Sequence, residues 1–96
     1  MMICELCGRP SECGHHLIFG FGMRQLADED GLLMDLCNNC HTTAYRVADR
    51  IHDNPVAEKL SKMLGQERWE KNMVADGKTI EEARELFIKR YGRSWL

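Results

Sequence analysis

Two cysteine pairs constrain this chain more than any other feature of its sequence. Each has the spacing C-x-x-C: Cys4 and Cys7 near the start, and Cys37 and Cys40 after a gap of 29 residues. Each pair can form a tight knuckle, and a hairpin between them would bring the four thiolates around one ion. Four sulfur ligands in a closed tetrahedral set are typical of structural zinc. We therefore expect a four-cysteine zinc site that organises the fold.

Other interpretations of the cysteines stay open at this stage. Free cysteine is often a core residue, so four unrelated buried thiols are one alternative. An iron-sulfur cluster uses the same ligand type, although its cysteine spacings usually differ. The fifth cysteine, Cys13, belongs to neither pair. We expect it to be a small buried residue or a competitor for zinc, and the odd count argues against a full disulfide framework.

Chain length and net charge limit the fold and the functions that we expect. A chain of 96 residues forms one domain at most and has little apolar core, so a bound metal would help its stability. The start of the sequence is neither basic nor a long apolar run, so we expect no leader, no membrane span and a cytoplasmic location. The net charge of −2 is unlike that of a protein that mainly contacts phosphates.

The hydrophobic pattern predicts a hairpin and then a helix. Strands are expected at residues 16–19 and 32–36, joined by a long loop that contains glycines and an acidic cluster. An amphipathic helix is expected from His41 to Asn54, where Pro55 cannot continue the preceding hydrogen bonds.

Two further helices are expected in the second half. One should begin at Pro55 with Asn54 as its cap, be interrupted near Gly65 and end by residue 77. The next should begin at the capping box that starts with Thr79 and run to Tyr91.

The adjacent histidines His15 and His16 need separate explanations. Neighbouring residues on a strand point to opposite sides, so the two imidazoles should do different jobs. His41 directly follows the last zinc cysteine, and one member of the pair could share a second ion with it while the other faces a substrate. A neutral imidazole beside an ion with open coordination positions can deprotonate water. Taken singly, the pair could instead hydrogen-bond to backbone.

The segments CELC, HHLIFG and GLLMDLCNNCH together resemble the HNH endonuclease family, the ββα-metal nucleases, in the variant braced by a C-x-x-C pair on each side. The resemblance is especially close to small phage-encoded HNH proteins and covers residues 4–41, with a looser similarity over residues 87–96. It implies an α+β fold. A zinc-bound treble-clef ββα-metal module would occupy residues 1–54, and a helical region, residues 55–96, would pack on it in a single compact domain.

The resemblance implies a role for each histidine of the motif. His15 and His41 would bind a catalytic divalent ion, Mg²⁺, Mn²⁺ or Ni²⁺, and His16 would be the general base that activates water. The implied activity is hydrolysis of DNA phosphodiester bonds that leaves 5′-phosphate and 3′-hydroxyl ends. DNA is the implied partner, with a homodimer or a phage protein partner left open, in the cytosol of a bacterial host.

Two positions depart from the family's pattern. The middle Asn of the family, which steadies the loop that orients the base, has no counterpart in the hairpin loop. A third metal ligand, found in some relatives one turn after the helix histidine, falls on Tyr45, and water or an acidic loop residue could replace it. His52 is expected to be a helix-end or surface residue, because eleven residues of unbroken helix would place it roughly 16 Å from His41.

Contacts with DNA are expected from Arg24 in the hairpin loop and from Arg46 and Arg50 at i,i+4 spacing, although solvation of a helix surface explains the last two nearly as well. A second basic group forms either a solvated face or a DNA track: Lys59, Lys62, Arg68 and Lys71.

The alternative function is a non-catalytic zinc module on the same scaffold. It would bind DNA or a protein partner in phage recombination or packaging, and the missing Asn and the acidic charge favour it. An accessory protein with weak or conditional cleavage is a third hypothesis.

Overall fold

The computed structural model describes residues 2–96 and has an α+β fold with one two-stranded antiparallel sheet. Within these residues no helix combines the length and the hydropathy needed to cross a membrane. The elements, in chain order, are β1 (Cys13–His16), α1 (Met23–Glu29), β2 (Leu33–Leu36), a π-helical turn (Asn39–Thr43), a 3-10 turn (Val47–Asp49), α2 (Pro55–Ala75) and α3 (Ile80–Tyr91).

The expected hairpin is present, with two differences. β1 starts at Cys13, earlier than expected, and its register pairs Cys13 with Leu36 and His15 with Met34. The connecting loop contains the helix α1, which the glycines and acidic residues had concealed. Gly22 and Gly31 bracket this helix with φ angles of 75° and 69°, left-handed values that glycine adopts without strain.

The expected helix from His41 to Asn54 is wrong. After the π-helical turn the backbone becomes extended at Ala44, and the segment closes on itself through bonds from Ile51 N to Cys40 O at 2.9 Å and from His52 N to His41 O at 3.1 Å. The Arg50 guanidinium donates to the carbonyl oxygens of Ala44 and His52, at 2.7 and 3.0 Å. These tertiary bonds satisfy backbone groups that a helix would have paired locally.

The helix α2 begins as expected but is not interrupted. The Asn54 side chain accepts a hydrogen bond from Ala57 N at 3.2 Å, and Pro55 occupies the first helical position. Gly65 lies within the helix and is buried against the segment that follows β1. A Cβ atom there would stand 2.7 Å from Ile18 Cγ1 and 3.1 Å from Leu17 Cβ. This glycine therefore permits a close approach of α2 to the hairpin.

The helix α3 has the expected capping box at Thr79. Its buried Phe87 stacks on Tyr91 and meets Trp69 of α2 edge to face, in a core that also contains residues of the hairpin. Asp30, at the end of α1, ties the three helices together. Its carboxylate accepts from Trp69 Nε1 at 3.1 Å, from Tyr91 OH at 2.6 Å and from the guanidinium of Arg90 at 2.7 and 2.8 Å.

Replacing Gly65 with alanine should destabilise the protein. Helix propensity alone would favour the change by about 1 kcal/mol, but overpacking against the buried Ile18 side chain costs about 1–3 kcal/mol. We expect a net loss of up to about 2 kcal/mol, measured by urea unfolding with an unchanged m value. In an Ile18→Ala background the same substitution should become neutral or stabilising; an equal loss in both backgrounds would contradict the contact.

Candidate metal centres and the adjoining cleft

The four paired cysteines converge as expected. Their Sγ atoms all lie within 4.8 Å of one another, and Cys7 Sγ is 3.6 Å from Cys37 Sγ. Four sulfurs held tetrahedrally at about 2.3 Å from one ion would be about 3.8 Å apart. The fifth cysteine, Cys13, is outside the cluster, and none of the five forms a disulfide. The cluster can therefore hold a metal ion such as zinc.

The two knuckles also adjust the thiol chemistry. Burial raises the pKa of Cys4, but hydrogen bonds from the backbone, led by Cys37, lower it more, to about 6. Burial, together with hydrogen bonds to the neighbouring thiols, raises the pKa of Cys40 to about 12. Cys4 therefore forms a thiolate readily, whereas the Cys40 thiol would lose its proton in exchange for a bound cation.

Three histidines form a second cluster: His15, His41 and His52. Each contributes one ring nitrogen, and the three nitrogens lie within 4.8 Å of one another. The expected pairing of His15 with His41 is thus found in the structure. The expected separation of His52 from His41 is wrong, since their Nε2 atoms are 2.9 Å apart. Tyr45, which occupies the sequence position of a third ligand, is fully exposed to solvent.

Hydrogen bonds to α2 fix the tautomer of His15. Ser61 Oγ donates its single proton to Leu17 O at 2.8 Å and lies 2.8 Å from His15 Nε2. The hydroxyl must therefore accept from the imidazole, which places the His15 proton on Nε2 and leaves Nδ1 with a free lone pair. Burial, and then the charges of His41 and His52, lower the pKa of His15 to about 3. This ring is a neutral ligand at physiological pH.

The other two imidazoles are oriented in the same way, through their Nδ1 atoms. His52 Nδ1 lies 3.3 Å from the Glu58 carboxylate, and His41 Nδ1 lies 3.4 Å from Cys13 Sγ. Burial raises the pKa of the Cys13 thiol, which stays protonated and donates to Leu36 O. His41 therefore carries its proton on Nδ1 and presents an unprotonated Nε2 towards His52. Partners of this kind commonly orient metal-bound histidines.

The geometry of the cluster fits a cation. Two unprotonated nitrogens 2.9 Å apart repel each other unless a proton or a metal ion lies between them. Two imidazole nitrogens about 2.1 Å from one ion, at a right angle to each other, would be about 3.0 Å apart. Burial also lowers the pKa of His41, which favours the neutral ring. The donor set suits a divalent transition metal.

The histidine cluster opens into a cleft of about 370 Å³, which is also lined by His16, Phe19 and Arg24. His15 is buried, whereas the His16 side chain is 22% exposed. His16 Nε2 lies 3.5 Å from Asp28 Oδ1, and the residue also lines the cleft. The two adjacent histidines therefore have different environments.

The three candidate DNA-binding arginines have different surroundings. Arg24 lines the cleft, and in the described part of the chain no carboxylate lies within 4.0 Å of it. Arg46 pairs with Asp49 at 2.9 Å on an exposed turn. Arg50 supports the loop that delivers His52. The i,i+4 helical spacing expected of Arg46 and Arg50 does not exist, because no helix forms there.

Comparison with models of protein families, with curated proteins and with solved structures gives no match to this chain. The chemistry of the cleft is therefore argued from its own geometry.

Sequence reasoning missed one histidine of the cluster, His52, and three residues that hydrogen-bond to its rings: Cys13, Glu58 and Ser61. The histidine count was the available signal for His52, since a chain with four histidines places three of them in one site. Cys13 and Ser61 reach the imidazoles from 28 and 46 residues away along the chain, for which a single sequence has no pattern.

Loss of one zinc cysteine should abolish folding, whereas loss of Cys13 should not. We expect Cys40→Ser to lose bound zinc and its helical circular dichroism, because the cluster closes the fold. Cys13→Ser should keep one zinc per chain, measured by metal analysis of the purified protein. Loss of zinc from both variants would contradict the assignment of ligands.

Removing His52 should weaken binding at the histidine cluster more than about 100-fold, since removal of an outer partner alone costs about 10–100-fold. The measurement is calorimetric titration of zinc-loaded protein with Mn²⁺ or Ni²⁺ after His52→Ala. Tyr45→Ala is the matched control and should bind as the wild type does. Equal affinities in all three proteins would exclude His52 as a ligand.

Proposed function

We propose that this protein is a divalent-metal-dependent endonuclease of the HNH type that hydrolyses DNA phosphodiester bonds. The observation that carries the proposal is the convergence of three imidazoles on one cleft, beside a fourth histidine that is free to act as a base. Three protein ligands leave positions open on a bound ion for phosphate oxygens and water. The resemblance of the sequence to HNH proteins supports the same activity.

The arrangement of the cysteines supports a treble-clef zinc module as the scaffold. A knuckle, an antiparallel hairpin and a second knuckle follow one another, and the second knuckle leads directly into the turn that carries His41. The helix that follows the second knuckle in such modules is reduced here to a π-helical turn. The resemblance to phage-encoded HNH proteins is the sole support for a phage or prophage origin, which we include in the proposal.

Each residue of the cleft has a role in the proposed reaction. His16 accepts a proton from a water molecule at its Nδ1, and the resulting hydroxide attacks phosphorus. The bond from phosphorus to the 3′ oxygen breaks, which leaves a 5′-phosphate and a 3′-hydroxyl that takes a proton from solvent. Arg24 faces a non-bridging phosphate oxygen. His15, His41 and His52 would hold a divalent ion, which would supply charge stabilisation to the phosphate.

Asp28 takes the place of the family's missing Asn. It lies on α1, inside the hairpin loop, with its carboxylate 3.5 Å from His16 Nε2. A carboxylate beside one imidazole nitrogen orients the ring and stabilises the imidazolium that forms when the other nitrogen takes a proton. The absence of Asn therefore does not leave the base unsupported.

Zinc-loaded protein should nick supercoiled plasmid when Mg²⁺, Mn²⁺ or Ni²⁺ is added, and EDTA should stop it. His16→Ala should lower the rate about 10²–10⁴-fold, the usual contribution of a general base. It should keep its zinc and its fold, because the side chain is partly exposed. Asp28→Ala should lower the rate less, and Asp28→Asn should restore part of it.

Two results would count against this reaction. An unchanged rate in His16→Ala would remove the assigned base. No nicking with any ion, in protein that holds its zinc and binds Mn²⁺ or Ni²⁺ at the histidines, would favour the non-catalytic module.

A further inference from the structure

The arginines and lysines of this protein differ in whether a carboxylate lies next to them. In the described part of the chain, five arginines have a carboxylate within 4.0 Å: Arg46, Arg50, Arg68, Arg84 and Arg90. Arg68, one of the four residues of the second basic group, is thereby paired with Glu5. Lys59, Lys62 and Arg93 have no such partner among residues 2–96.

These three unpaired cations, which we name the basic strip, line one groove of about 360 Å³. Lys59 and Lys62 come from α2, and Arg93 comes from the C-terminal tail that follows α3. Glu58 is the acidic residue of the groove. Its carboxylate is engaged by His52 Nδ1 and by Asp53 N, both at 3.3 Å. Three cations against one carboxylate leave the groove with a net positive charge.

Lys62 connects the groove to the metal cleft. Its ammonium lies 4.6 Å from the centre of the Phe19 ring and 5.8 Å from that of Trp95. Phe19 lines the cleft, and its ring centre is 5.0 Å from that of His52. Lys62 Nζ is thus within about 10 Å of the His52 ring, which corresponds to about three nucleotides at the 3.4 Å rise of a DNA strand.

Gln66 of α2 holds the C-terminal tail in place. This side chain is fully buried in α2, donates from Nε2 to Ser94 Oγ at 2.9 Å, and accepts at Oε1 from Trp95 N at 2.6 Å. The Arg93 guanidinium then lies 5.1 Å from the Trp95 ring centre. Cations held over aromatic faces keep their hydrogen-bond donors free for an anion.

We propose that the basic strip binds the DNA backbone on one side of the scissile phosphate, with Arg24 across the cleft; this inference rests on the proposed function. A DNA strand fits better than an acidic protein surface because the strip adjoins, through Lys62 and Phe19, a cleft that contains the unpaired Arg24, so that one strand can reach both. The strip would set the direction in which a strand enters the site.

The test compares two triple variants that lose the same charge. One replaces the strip with alanine, as Lys59→Ala, Lys62→Ala and Arg93→Ala. The control replaces three other exposed lysines that have no carboxylate within 4.0 Å and lie outside the cleft and groove, as Lys71→Ala, Lys78→Ala and Lys89→Ala. Binding of each zinc-loaded protein to a labelled 30-bp DNA duplex is followed by fluorescence anisotropy, without added divalent ion and over a series of KCl concentrations.

We expect the strip variant to bind about tenfold or more weakly, and the slope of log K against log salt to fall by about 2.7, the change for three lost phosphate contacts. The control triple should lose much less affinity, and its salt slope should fall much less. A charge-preserving variant, Lys59→Arg, Lys62→Arg and Arg93→Lys, should retain most of the affinity and shows that a loss is not due to misfolding.

Equal effects of the two alanine triples, or no effect of either, would overturn the proposal. The second result is expected if the strip serves an acidic protein surface. Plasmid nicking separates this inference from the proposed function. If DNA binding depends on the strip but the protein does not nick plasmid, the DNA-binding role of the strip holds and the proposed nuclease activity is wrong. If the strip variant nicks plasmid with an unchanged KM, the nuclease activity holds and the role of the strip is wrong.

Discussion

The close approach of α2 to the hairpin is the contact on which the site depends. Gly65 leaves room for Leu17 and Ile18, and one turn earlier Ser61 can then reach both His15 and the Leu17 carbonyl. A further three residues back, Glu58 reaches His52. Lys62 and Gln66, on the same helix, belong to the basic strip and the tail anchor. A single helix thus supports metal ligands, fixes their tautomers and supplies charge at the groove.

The two candidate metal centres are coupled through a short stretch of chain. Cys40 is a ligand of the sulfur cluster and His41 is a ligand of the histidine cluster, so the second knuckle positions both. Cys13 lies outside the sulfur cluster, but its thiol contacts His41 Nδ1 and so orients that ring. The four sulfurs suit a structural ion such as zinc, and the three ring nitrogens beside them form a second group that could hold a metal ion.

The sequence predicts those parts of the fold that depend on local chemistry. The convergence of the paired cysteines and the caps at Asn54 and Thr79 follow from residue type and spacing. The loop that carries His52 could not be predicted in this way. Its apolar residues suit a helix, and the bonds that override the helix join Arg50 and His52 to distant carbonyls. The predicted interruption of α2 near Gly65 was wrong for a similar reason. This glycine allows a close contact with Ile18 and does not interrupt the helix.

The loop between His41 and His52 has a consequence for evolution and engineering. Backbone bonds close it at its base, through Cys40, His41, Ile51 and His52, while its outer residues Tyr45, Arg46 and Val47 are exposed. Changes in the length of such a surface loop cost little, because loop-closure entropy grows slowly with length. New recognition segments could therefore be grafted beyond the base of this loop, next to the reaction centre, without disturbing the spacing of the two imidazoles.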